Sequence, residues 1–152
     1  MISTHAKTHD TGGTSTQPFD TDHAAIIALL HRLYDGLYHG DTAELRQTFH
    51  PDARYVTAAG EALLQLDVES YMDVVANRAS PASNNEPYSG FDIESIELAG
   101  PKTACVRVRS SMLGKHFIDF LVLIKIDKQW CIISKVFHYT ANKTHDSQTK
   151  GN

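Results

Sequence analysis

Four long runs rich in Val, Ile and Phe fill the second half of the chain, and they limit the fold more than any other feature. Residues 91–99, 103–113, 116–126 and 130–139 are separated by turn signals at Gly100-Pro101, Gly114-Lys115 and Asp127-Lys128-Gln129. β-Branched and aromatic side chains suit a pleated, half-buried surface, so the runs predict a four-stranded antiparallel meander. Shorter strands are expected over residues 53–58 and 61–66.

The first half has a different period. Ile26, Leu29, Leu30, Leu33, Tyr34 and Leu37 recur at helical spacing behind a cap at Thr21 or Asp20, and Gly40 offers a left-handed stop. Asp41 with Glu44 resembles a capping box for a short helix that carries Leu45 and Phe49 inward and is stopped by Pro51. Asp67 caps a third helix with Val68, Tyr71, Met72 and Val75 on one face, and residues 79–90, rich in Pro and Asn, read as a loop. Helices gathered in one half and strands in the other imply an α+β domain, with the helices on one face of a curved, mixed or mainly antiparallel sheet.

A chain of 152 residues suits one such domain. It is expected over residues 21–140, with the polar segments 1–20 and 141–152 as disordered tails, too poor in apolar surface to offset the entropy of ordering them. A formal net charge of -4 and the lack of a basic, aromatic-interleaved stripe argue against nucleic acid as a partner. No apolar run is long enough to span a bilayer, and the first 20 residues lack the apolar middle of a signal peptide, so the expected location is cytoplasmic, away from membranes. Without a glycine-rich phosphate loop or a spaced Cys or His set, no cofactor and no metal are expected. Cys105 and Cys131 fall on strands that flank a common neighbour, about 9.5 Å apart, and should remain free thiols.

Several local patterns carry a family resemblance: Tyr34-Asp35-Gly36 and Gly40-Asp41 at the first helix end, Phe49-His50-Pro51-Asp52-Ala53 after the second, and the closing run from Phe117 to His138. In these the chain resembles the nuclear transport factor 2-like superfamily, in its SnoaL-like group labelled putative lumazine-binding. The resemblance implies a cone of curved sheet and helices, a pocket in its wide end and homodimerisation through the sheet. Superfamily members include isomerases, dehydratases, cyclases and non-catalytic binding modules, so the fold does not choose a reaction.

Side-chain alternation on the last hairpin yields a candidate site. With a turn at Lys128-Gln129, Asp119 lies opposite His138; with a turn at Asp127-Lys128, His138 is its diagonal neighbour. Opposite β-carbons are about 4.5 to 5.5 Å apart and diagonal ones about 7 to 8 Å, so either register brings the two within direct or water-bridged reach. Asp119 and His138 are therefore the candidate catalytic pair, the carboxylate orienting the imidazole for proton transfer, or else a pair that satisfies itself inside a core. The same face carries Phe117, Leu121, Trp130, Ser134 and Val136, and the preceding strand adds Met112 and Ser110. Ligand contacts are expected from Tyr34, Tyr55, Met112, Phe117, Leu121, Trp130 and Ser134, a mostly apolar wall with few polar groups. The opposite face holds Ile118, Phe120, Ile133 and Phe137, with Arg107, Arg109 and Lys135 between them, and a second subunit is the economical cover for it. The function read from these residues is a small-molecule pocket protein that transfers a proton on an apolar carbonyl compound, as an isomerase, dehydratase or cyclase would. The alternative is a non-catalytic module for a lumazine-like or flavin-like ligand or a protein partner.

Overall fold

A computed structural model describes residues 18–142, and the expected tails lie largely outside it. Three helices come first: α1 (Pro18–His39), α2 (Thr42–Thr48) and, after two strands, α3 (Val68–Asn77). The strands are β1 (Phe49–Thr57), β2 (Leu64–Asp67), β3 (Phe91–Leu98), β4 (Thr103–Met112), β5 (Lys115–Ile126) and β6 (Gln129–Ala141). They form one six-stranded sheet in the order β2-β1-β6-β5-β4-β3, in which β1 and β6 run parallel and every other pair antiparallel. The sheet is mixed, curved and unclosed, with the helices against its inner face.

The apolar stripe of α1 is buried as its spacing predicts: Ile26, Leu30 and Leu33 are fully covered. The helix starts at Pro18, earlier than the expected cap at Thr21 or Asp20. Proline suits a first turn because the amide hydrogen it lacks would be unpaired there. Gly36 sets how closely α1 meets α2, since a methyl group there would lie 2.9 Å from Leu45 Cδ2. Gly40 follows α1 at φ +67, the left-handed conformation that ends a helix without side-chain strain. Asp41 and Asp67 cap α2 and α3 by accepting from the amides of Glu44 and Ser70, at 3.1 and 2.8 Å. Phe49, expected on α2, is instead the buried first residue of β1.

The hairpin β5–β6 settles the open register. Asp127 and Lys128 both have positive φ, the signature of a two-residue turn whose twist matches the strands. Register then slips by one residue between Val122 and Leu123, because Ile132 faces Leu123 while Ser134 faces Val122. Ile133 is thus the surplus residue of a β-bulge. A bulge re-aims everything beyond it, and a slip of one residue exchanges the two faces of a strand. Lys135 and Phe137 therefore point to the inner face, whereas Ser134, Val136 and His138 point outward, the reverse of the expectation. Among the described residues no helix is long and apolar enough to cross a membrane.

Candidate functional site

Asp119 is the most informative residue on the inner wall. It lies in the middle of β5, only 1% exposed, where an unpartnered carboxylate is strongly disfavoured. Tyr34, from the buried stripe of α1, donates its hydroxyl to Asp119 Oδ2 at 2.7 Å. Lys135, 4% exposed on β6, places Nζ 3.7 Å from the same oxygen. Asp119 Oδ1, equally buried, has no hydrogen-bond partner among the described residues. The carboxylate is thus held from one side and bare on the other.

A cavity of about 20 Å³ adjoins this cluster, lined by Tyr34 and Leu37 of α1, Tyr55 of β1, Tyr71 and Arg78 at α3, Ser110, Met112 and Leu113 of β4 and its turn, and Phe117, Asp119 and Lys135. That is room for about one water. The loop after α3 roofs the neighbouring space: Tyr38 donates to the Glu86 carbonyl at 2.6 Å, and the Leu113 amide donates to Glu86 Oε1 at 3.0 Å. Met112 and Leu113 are the flexible apolar side chains of the lining, the ones able to repack around a larger molecule without moving a strand.

Aromatic rings hold the polar groups in place. Tyr55 stacks on Tyr71 with centroids 3.9 Å apart, and Tyr34 stacks on Phe91 at 4.6 Å. Lys135 Nζ lies over the faces of Tyr55, Tyr71 and Phe137 at 5.5, 6.0 and 5.5 Å. Burial pushes the Tyr34 hydroxyl well above its ordinary pKa, with the Asp119 charge adding to the effect. It raises Tyr55 as well, and it carries Tyr71 up to about 12 against the opposing pull of the Arg78 guanidinium. At neutral pH all three hydroxyls are protonated, as an ordinary tyrosine is, and the upward shifts keep them so well into alkaline solution.

The expected pair is not formed. His138 is exposed on the outer face opposite Ile118, while Asp119 faces Phe137. Ser134 lies outside too, opposite Val122. Leu121 is fully buried core, and Trp130 sits at the far end of the hairpin, where its indole N–H donates to Asp22 at 3.1 Å beside the Lys125 ammonium. Neither lines the cavity. The expected Tyr34, Tyr55, Met112 and Phe117 do line it, together with Asp119. The residues that sequence reasoning misplaced or discounted are Lys135 and Tyr71, and Arg78 it did not single out. The available signal was a lysine amid an apolar strand, a position where charge is rarely left without a reason. Arg107 and Arg109, which the expectation grouped with Lys135, remain outside and pair with Glu94 of the same chain at 2.8 and 3.2 Å.

Comparison with known proteins agrees with this architecture. Residues 21–138 match the model of the family described as "Putative lumazine-binding". Aldolase FrzH of Cladobotryum sp is 24% identical over 120 residues, covering 78% of this chain and 91% of that protein. Among solved structures, an NTF2-like protein of unknown function from Shewanella baltica OS155 has a TM-score of 0.74 and 22% identity, covering 84% of this chain and all of that one. A second, from Silicibacter pomeroyi DSS-3, has a TM-score of 0.73 and 24% identity, covering 80% of this chain and 98% of that one. At such identities the likeness establishes the fold, which is the NTF2-like cone.

Proposed function

We propose that this chain, which belongs to the Putative lumazine-binding family, binds a small carbonyl compound in the wide end of the cone and moves a proton on it, with Asp119 as the proton acceptor. The observation that carries this reading is the bare Oδ1 of a carboxylate that is otherwise buried and gripped. Tyr34 and Lys135 engage Oδ2, which leaves Oδ1 as the lone pair free to take a proton from a carbon next to a carbonyl. A general base works best when fixed within hydrogen-bond reach of its proton and shielded from water. Tyr55 and Tyr71, kept protonated by burial, are the donors available to an oxygen on which enolate charge develops. A relative named an aldolase fits this class, because aldol chemistry begins with loss of such a proton.

The test is exchange of acetone methyl protons in D₂O, followed by proton NMR. Exchange above the buffer rate that falls at least tenfold in Asp119→Asn supports the reading. A wild-type rate equal to buffer refutes it.

The family's description favours a second reading, binding without chemistry, in which Oδ1 accepts a hydrogen bond from a ring N–H of a lumazine-like ligand stacked on the aromatic wall. Such a ring exceeds a cavity of about 20 Å³, so it demands an opened mouth. Titration of lumazine fluorescence with protein separates the two readings: saturable quenching without acetone exchange selects this one.

A further inference from the structure

We infer that Lys135 is a nucleophile that holds the carbonyl substrate as a Schiff base, an inference that rests on the carbonyl reading above. Among the described residues Lys135 is the one buried lysine. It lines the cavity, and among those residues its Nζ donates no hydrogen bond, its charged neighbour being Asp119 at 3.7 Å. The rest of its surroundings are the ring faces of Tyr55, Tyr71 and Phe137. Compare Lys125, which is bound at 2.8 Å to Asp22 at the other end of the hairpin and serves the fold there. A purely structural lysine in an apolar wall is hard to justify, since burying an ion pair is commonly no better than burying apolar side chains of similar volume. At the cavity, by contrast, an amine among aromatic faces stands 3.7 Å from a carboxylate able to take its proton, which is the pairing that an attack on carbonyl carbon needs.

The chemistry closes on groups already present. Asp119 takes a proton from the Lys135 ammonium, and the freed amine lone pair attacks the carbonyl carbon, forming a C–N bond as the C=O π electrons move to oxygen. That oxygen acquires a proton from the nitrogen by way of the carboxyl group, which yields a neutral carbinolamine. Asp119, now the acid, protonates the hydroxyl; the C–O bond breaks, water leaves, and the nitrogen lone pair closes a C=N bond. The sum is one ammonium and one carbonyl converted to one iminium and one water, with Asp119 returned to the carboxylate. It then stands beside an iminium whose adjacent C–H is far more acidic than that of the parent ketone, so the same residue serves as base in the next step.

The experiment is reductive trapping on the full chain. Protein is mixed with acetone, or with acetaldehyde as a smaller probe, and treated with sodium borohydride at early times; peptide mass spectrometry then ranks the lysines by alkyl label. Lys135 labelled at least tenfold faster than the exposed Lys102 and Lys128 supports the inference, because a merely buried amine would label last. Preferential label that falls at least tenfold in Asp119→Asn adds the carboxylate to the step. Label on Lys102 and Lys128 with neither probe favouring Lys135 overturns it, and this reading needs no variant to fold. Acetone exchange retained in Lys135→Met likewise overturns it while leaving Asp119 as a base; loss of exchange in the wild type removes the underlying reading instead.

Discussion

Replacing Tyr34 by Phe isolates what holds the central carboxylate. The ring remains, with its stack on Phe91 at 4.6 Å, and the change removes one oxygen that donates to Asp119 Oδ2 at 2.7 Å. A hydrogen bond to a charged group contributes about 1.5 to 3 kcal/mol, and its loss leaves Oδ2 with the Lys135 ammonium alone, at 3.7 Å. Asp119 is 1% exposed and its other oxygen is already bare, so most of that loss should appear. For a chain of this length that corresponds to a fall in Tm of about 3 to 12 °C. The control is Tyr38→Phe, which removes a half-buried bond to the neutral Glu86 carbonyl and should cost about 0.5 to 1.5 kcal/mol. Urea unfolding of Tyr34→Phe, Asp119→Asn and the double variant gives the coupling between the two groups directly, expected at about 1 to 2 kcal/mol for residues in contact. Zero coupling, or a Tyr34→Phe loss below about 0.5 kcal/mol, would mean that the hydroxyl does not hold the carboxylate and that the site is not preorganised as described.

Alkaline solution should weaken the fold. Tyr34, Tyr55 and Tyr71 all titrate higher in the folded chain than the ordinary value of about 10, so their contribution is full below pH about 10 and is lost as pH rises toward the folded values, about 12 for Tyr71. Each unfolded-state tyrosine that ionises first lowers the unfolding free energy by about 1.4 kcal/mol per pH unit; urea midpoints that stay flat from pH 10 to 12 would contradict this. Cys105 on β4 and Cys131 on β6 are free and have β5 between them, so thiol titration under denaturing, non-reducing conditions should count two thiols per chain. The outer sheet face leaves Phe120 and Val136 44% and 45% exposed, and we expect a second copy to cover it. Light scattering should then give twice the 16.8 kDa chain mass, and Phe120→Asp should yield monomer; a monomeric parent at micromolar concentration refutes the dimer.

Much of the architecture was legible because each signal had a single reading. The stripe on α1, the aspartates at positions 41 and 67, and the turns after Leu98, Met112 and Ile126 each satisfy local backbone demands, and local demands are visible in local sequence. The parallel pairing of β1 with β6 was not visible, because it joins Tyr55 to Lys135 across the whole meander and depends on tertiary packing alone. Four cavity residues besides Asp119 were found for a related reason: Tyr34, Tyr55, Met112 and Phe117 lie on elements whose faces are unambiguous.

The face of β6 beyond Ile132 is ambiguous in the sequence for a physical reason that also explains why the sequence pattern points to His138. Register is well specified when one face of a strand is apolar and the other polar. Here Ile132 and Ile133 are both apolar, and so are Val136 and Phe137, so hydrophobic pattern alone balances the two choices. The balance is broken by contacts that only the assembled sheet supplies. On the inner face Phe137 meets the Tyr55 ring at 4.7 Å, an area of contact that Val136 could not provide. Thr57, on the neighbouring β1, donates its buried hydroxyl to the Phe137 carbonyl at 2.6 Å and ties the strand in this position. The polar residues follow these constraints: with Phe137 inward, Lys135 must be inward too, and Asp119 on the adjacent β5 is the group that makes this tolerable. The bulge at Ile133 therefore does more than bend the sheet. It exchanges an exposed imidazole for a buried amine as the neighbour of the carboxylate, and that exchange is the premise from which the proposed carbonyl chemistry starts.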